Sequence, residues 1–182
     1  KDSSNSLSIE NIFTMDTNGV INCLNLNKSI NCIHLKVAVT NLPYKFGKLN
    51  CSFYTNSSLK TLNNCPVEIN GDFSCEDGYS LINLKGAPRI VRGDFNCSRC
   101  IHLKTLEGAP KYVEGHFDCP DCLNIKTLKG SPIYVGKDFY CDYCSNLISL
   151  EGSPKYVMHD FNCSCCINLI SLEDSPILVG NN

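Results

Sequence analysis

The apolar positions of this chain fall into a block that repeats every 22 residues. Phe73, Phe95, Phe117, Phe139 and Phe161 mark the interval, and two residues after each stands Cys75, Cys97, Cys119, Cys141 or Cys163. Four of the blocks add a second cysteine three residues on, at Cys100, Cys122, Cys144 and Cys166. A pair follows at Leu81/Leu84, Leu103/Leu106, Ile125/Leu128, Leu147/Leu150 and Leu169/Leu172. Prolines at 66, 88, 110, 132, 154 and 176 close the block. Three residues later come Ile69, Val91, Val113, Val135, Val157 and Val179. Repetition at a fixed period of this length is the mark of a solenoid.

Alternation at Phe-x-Cys predicts a short strand with both side chains inward. Two residues before each proline stand Asn64, Gly86, Gly108, Gly130, Gly152 and Asp174. These are the residue types that tolerate a left-handed backbone, so a turn with positive φ is expected there, with Pro fixing the exit. No such demand falls on Gly71, Gly93 and Gly115, whose counterparts are Lys137 and His159. Coils of this kind stack about 4.8 Å apart and bury their apolar faces only against neighbours. Upstream the register loosens. Leu49 and Cys51 are aligned with Phe-x-Cys, and Pro43 and Phe46 with the end of the coil before. Residues 1–41 are taken as an N-terminal cap with degenerate coils, and 42–182 as the repeat array. The array is expected to be truncated, tipped by Asn181 and Asn182, or closed by another molecule.

The spacing Phe95-x-Cys97-x-x-Cys100-x-x-Leu103 resembles the leucine-rich repeat core in its cysteine-containing form, with Cys100 at the Asn/Cys position that leads out of the strand. Leu150-Glu151-Gly152-Ser153-Pro154-Lys155-Tyr156-Val157 and Gly93-Asp94-Phe95-Asn96-Cys97 are similar to a repeat array of tailed-phage and large DNA virus proteins. Leu42-Pro43-Tyr44-Lys45-Phe46-Gly47-Lys48-Leu49 resembles its lead-in. The resemblance implies a mainly β, leucine-rich-repeat-like solenoid of 22-residue coils. Each coil would have one short parallel strand and an irregular or 3-10 return. A β-helix is the alternative. It also implies a viral source and carries no activity.

Composition changes this picture little. The apolar fraction of 43% allows a large core, and a net charge of −2 gives no reason to expect nucleic acid. No 18-residue apolar run exists, so no membrane-inserted helix is expected. The polar start, without Met or signal peptide, is read as a cut from something longer or as a missing true start. Fourteen cysteines need an account. Cys97-x2-Cys100-x18-Cys119-x2-Cys122 has zinc-ribbon spacing, and Cys141, Cys144, Cys163 and Cys166 extend it as an alternative metal set. These cysteines recur only because the coil recurs, so packing is the leading reading, with disulfides and metal left open. Cys65 and Cys165 lie off the ladder and are expected to be the reactive thiols.

Strand alternation puts one row, Asp72, Asp94, His116, Asp138 and Asp160, on the open face of the sheet. Ser74, Asn96, Asp118, Tyr140 and Asn162 share that face. Carboxylates one coil apart repel unless turn amides, a basic partner or a cation offsets them. A second row, Ile90, Tyr112, Tyr134, Tyr156 and Leu178, lies on the return, as cover or as an aromatic contact patch. No nucleophile elbow, metalloprotease motif or phosphate loop occurs. The expectation is a non-enzymatic scaffold for protein–protein interaction, without cofactor or small-molecule substrate, acting in a virion or host cytoplasm. The alternatives are a structural component of a virion or other large assembly, and a metal-binding module built on the C-x-x-C ladder.

Overall fold

The computed structural model describes residues 13–15, 20–23, 32–35, 39–55 and 57–180. Each block forms one turn of a parallel β-solenoid, and no helix occurs among the described residues. The first sheet has seven strands: Cys32–His34, Ser52–Tyr54, Phe73–Ser74, Phe95–Asn96, Phe117–Asp118, Phe139–Tyr140 and Phe161–Asn162. Every neighbouring pair is parallel, and Phe95 pairs with Phe73 on one side and Phe117 on the other.

The return is neither irregular nor a 3-10 turn, which corrects the expectation of one strand per coil. It carries a second strand, as in Tyr112–Val113 and Tyr134–Val135, and these form a second seven-stranded parallel sheet. Tyr and Val suit a pleated surface that is half buried, and the valines are fully buried while the tyrosines face out. No apolar side chain recurs two residues from the Val, as Cys does after Phe in the first strand, which is why the sequence hid this strand. The two-sheet coil answers to the β-helix alternative.

Between the sheets, equivalent side chains form columns. From Phe53 to Phe161 the rings stack with centroids 6.2, 5.2, 5.1, 5.1 and 5.3 Å apart. Cysteine, leucine and valine columns fill the rest, fully buried at Cys97, Cys119, Leu106, Leu128 and Val135. The register upstream is corrected as well. Phe53, not Leu49, joins the phenylalanine column, and Leu49 pairs with Ile69 in the second sheet. Phe46 belongs to a separate three-stranded sheet with Phe13–Met15 and Val20–Cys23. Most of the expected cap over 1–41 lies outside the described residues, as do Asn181 and Asn182. Cys32–His34, inside that span, extends the first sheet.

All six turn positions before the prolines are left-handed, from Asn64 at φ 71° through Gly108 at 98° to Asp174 at 64°. A second left-handed row, at Asp77, Arg99, Asp121, Tyr143 and Cys165, turns the chain out of the first sheet. Nothing in these residue types announced it, since only the two-residue step after the first cysteine is shared.

Candidate functional site

The open face of the first sheet carries both predicted polar rows, and the two rows are held differently. In the first row the side chains of Asp72, Asp94, His116 and Asp138 bond to the coil that follows, not to their own turn. Asp72 Oδ1 accepts the Asp94 N–H at 2.9 Å, Asp94 Oδ1 accepts that of His116 at 2.9 Å, and Asp138 Oδ1 accepts that of Asp160 at 2.9 Å. Ser52 Oγ starts the ladder by accepting the Asp72 N–H at 2.8 Å. The aspartates therefore stitch coils together, and amide hydrogens offset part of their mutual repulsion.

His116 continues the ladder with a ring nitrogen in place of a carboxylate oxygen. Its Nδ1 accepts the Asp138 N–H at 3.4 Å and lies 3.0 Å from Asp138 Oδ2. Tyr140 donates to the same Oδ2 at 3.0 Å, and the His116 ring lies along the Tyr140 ring at 6.1 Å. Burial pushes the Asp138 carboxyl up, but the Asp160 amide, the Tyr140 hydroxyl and His116 outweigh it and leave it below the usual carboxylate range.

The second row holds the local turn bonds. Asn96 Oδ1 accepts the Ser98 N–H at 2.8 Å, Asn162 Oδ1 that of Ser164 at 2.9 Å, and Ser74 Oγ that of Glu76 at 3.3 Å. Two members depart from this: Tyr140 donates to Asp138 instead, and Asp118 faces Pro120 two residues further on, which has no N–H to give. The Asp118 carboxyl is pushed up to about 6, first by burial and then by Asp94, Asp138 and Asp142, against the pull of His116. Asp72, Ser74, Glu76, Asp94, Asn96 and Asp118 line a shallow depression of about 190 Å³, closed at one end by Tyr54. Tyr54 and Glu76 escaped the sequence reading. The signal for Glu76 was available, since it follows Cys75 directly.

The cysteine ladder is a packing device with its own hydrogen bonds. Cys100 Sγ donates to the Cys75 carbonyl at 3.2 Å, Cys122 to Cys97 at 3.2 Å, Cys144 to Cys119 at 3.3 Å and Cys166 to Cys141 at 3.2 Å. Burial pushes the thiols of Cys97, Cys119 and Cys141 up, which favours the neutral form over the thiolate that a metal ion or an exchange reaction requires. Cys163 is half-buried, and among the described residues no group of three metal-binding side chains converges. Of the two cysteines expected to react, Cys165 is exposed. Cys65 is buried, and burial pushes its thiol up to about 12, a correction to the sequence reading. The Ile90, Tyr112, Tyr134, Tyr156 and Leu178 row lies in register on the outside of the second sheet.

No family model, curated protein or solved structure matches the chain. Its function has to be argued from the faces just described. The first sheet presents fixed acids to solvent. On the far side, Lys48, Arg89 and Lys111 surround a groove floored by Ile90 and Tyr112.

Proposed function

We infer that the chain is a non-enzymatic scaffold whose acidic first-sheet face receives a basic, extended segment of another protein. One observation carries the reading. The Asp72, Asp94 and Asp138 carboxylates are oriented by amides of the following coils, so a strip of acids is preorganised along the sheet beside the Asp118 depression. Preorganised charge favours binding because little order remains to be imposed on association. A flat repeat surface of this kind suits an extended partner better than a small substrate.

The leucine-rich-repeat likeness belongs to the same proposal. It is supported by the bonds from the second cysteine of each C-x-x-C to a neighbouring carbonyl, at the place where the chain leaves the strand. A viral source, and with it a virion or host-cytoplasm location, rests on the likeness of the Leu150–Val157 segment to phage and large-virus arrays. A part in a larger assembly remains the second reading, favoured by the exposed Tyr112 and Tyr156 on the outside of the second sheet. The metal-module alternative has weaker support, since burial raises the thiols of Cys97, Cys119 and Cys141.

The test exploits the bond pattern. Asn keeps the Oδ1 acceptor of Asp, so an Asp72→Asn, Asp94→Asn, Asp138→Asn variant removes charge and retains the ladder. Binding of an arginine- and lysine-rich peptide, followed by fluorescence anisotropy, is expected to weaken at least about tenfold and to lose its salt dependence. Unchanged affinity in a variant with the wild-type melting temperature would remove the acidic strip from the binding surface.

A further inference from the structure

Charge is sorted between the two outer faces of the solenoid. On the first sheet the acid column runs Asp72, Asp94, His116, Asp138 and Asp160, tied from coil to coil by its own side chains. On the opposite side of the core a basic column runs Arg89, Lys111, Ile133, Lys155 and Ile177. It is held in line because each N–H, from Lys111 on, donates to the carbonyl of the residue before it in the column. Arg89, Lys111 and Lys155 are exposed, and the first two border the groove over Ile90 and Tyr112. None of the three makes an ion pair or a side-chain hydrogen bond among the described residues, whereas Lys48 in the same groove is taken by Glu68 at 2.7 Å.

The two columns share a pattern as well as opposite signs. His116 stands in the acid column with carboxylates on either side, and Ile133 stands in the basic column with cationic side chains on either side. The repeat sets both columns to one spacing, about 4.8 Å per coil. Two such columns laid side by side meet in register along their whole length once a single pair is in register.

We propose that the acidic first-sheet face of one copy of the chain receives the basic second-sheet face of another, so that copies stack side by side. Such stacking rests on the acidic strip being a binding face and gives that face a partner. Charge complementarity and the shared spacing select a second copy as the occupant. With His116 opposite Ile133, three carboxylates meet Arg89, Lys111 and Lys155, and one end carboxylate is left against Ile177. The acid column reads the same in both directions about His116, so the match holds for axes that run the same way or opposed. Sliding a copy by one coil sets Ile133 against a carboxylate and His116 against a lysine. A net charge of −2 leaves little overall repulsion between copies. Tyr112 and Tyr156, 51% and 42% exposed beside the bases, add aromatic surface of a kind enriched at interfaces. The two faces differ, so the contact is heterologous and adds copies in an open row. Three coil steps make the charged span about 14 Å, a small junction, and assembly is therefore expected at high protein concentration and low salt.

Light scattering of the 182-residue chain over a concentration series tests the stacking. In about 0.01 M salt, where screening reaches about 30 Å, the mass is expected to rise past twice the 20.1 kDa of one chain. In about 1 M salt, where screening falls to about 3 Å, a single chain is expected. Arg89→Glu, Lys111→Glu changes exposed side chains and is expected to be monomeric. So is Asp72→Asn, Asp94→Asn, Asp138→Asn, which keeps the Oδ1 acceptors. Mixed in equal amounts, these two variants are expected to form a pair that grows no further, because each supplies the face that the other has lost. Lys104→Glu, Lys126→Glu makes the same change of net charge on the connection between the sheets and is expected to associate like the wild type. A wild-type chain that stays monomeric at low salt and millimolar concentration overturns the proposal. Polyglutamate bound through Arg89 and Lys111 in that case assigns the groove to an acidic partner instead. A mixture that stays apart, although both variants melt with the wild type, overturns it too. Binding of the basic peptide to the Arg89→Glu, Lys111→Glu variant, whose acidic strip is intact and uncovered, reads the scaffold function separately.

Discussion

At the level of single residues, the positions that resist change are those where backbone meets backbone. Gly108 has φ 98°, and a Cβ there would lie 2.4 Å from the Leu84 carbonyl carbon and the Lys85 nitrogen of the preceding coil. Gly108→Val therefore combines left-handed strain with a clash that no side-chain rotation relieves, roughly 2–5 kcal/mol. The side chain of its neighbour Glu107 is exposed and makes a surface pair with Lys85 at 3.1 Å. Glu107→Lys is expected to cost about 0.5 kcal/mol or less. A urea titration of both variants checks the difference, and equal midpoints would mean that the turn has slack. Asp118 offers a pH test. Its carboxyl is raised to about 6 in the fold, above an unfolded value of about 3.9. The folded chain thus holds the proton more tightly than the unfolded chain. This site favours folding below about pH 4, and that contribution is lost as pH rises through about 6. Asp118→Asn is expected to raise stability at pH 7 by on the order of 1 kcal/mol, after allowance for solvent screening, and to change nothing at pH 4. A melting curve that rises equally at both values would point to packing and away from charge.

At the level of elements, the coil divides into what was legible and what was not. The phenylalanine column, the cysteine columns and the six left-handed turns were readable, because each needs a restricted residue type at one fixed position. The second strand was not, because no apolar side chain recurs two residues from its Val and Tyr-Val serves a loop as well as a strand. The upstream register failed for a related reason: Leu49 and Phe53 are both apolar, and only pairing with Ile69 and Phe73 separates them. On the candidate face, alternation placed the polar rows correctly. It could not tell a bond within the turn from one across coils, since Asp and Asn serve both. The two cysteine sets lead to a chemical prediction. Brief alkylation of the native chain is expected to label Cys165 ahead of Cys75, Cys97, Cys119 and Cys65, which are buried and whose thiols are raised. Mass spectrometry of the peptides reads the order. Early labelling of Cys97 or Cys119 would show that the ladder opens.

For the whole molecule, stability is a chain of nearest-neighbour contacts, because each coil touches only those before and after it. The consequence is positional. Phe117 is fully buried and stacks on two rings, 5.1 Å away on either side. Phe161 makes the same residue-level choice at the open end but stacks only on Phe139, at 5.3 Å, and is half-buried. Truncating Phe117 to Ala removes two ring contacts and leaves a cavity that neighbouring coils cannot collapse into without shifting both sheets, at about 3–5 kcal/mol. Truncating Phe161 exposes little that was hidden in the single chain, so about 1–2 kcal/mol is expected. If denaturant midpoints are the same for both alanine variants, the array melts as one body and the coil-by-coil picture of its stability is wrong. If Phe117→Ala alone splits the transition in two, the coils on either side of residue 117 behave as separate cooperative units, which only a column of nearest neighbours predicts.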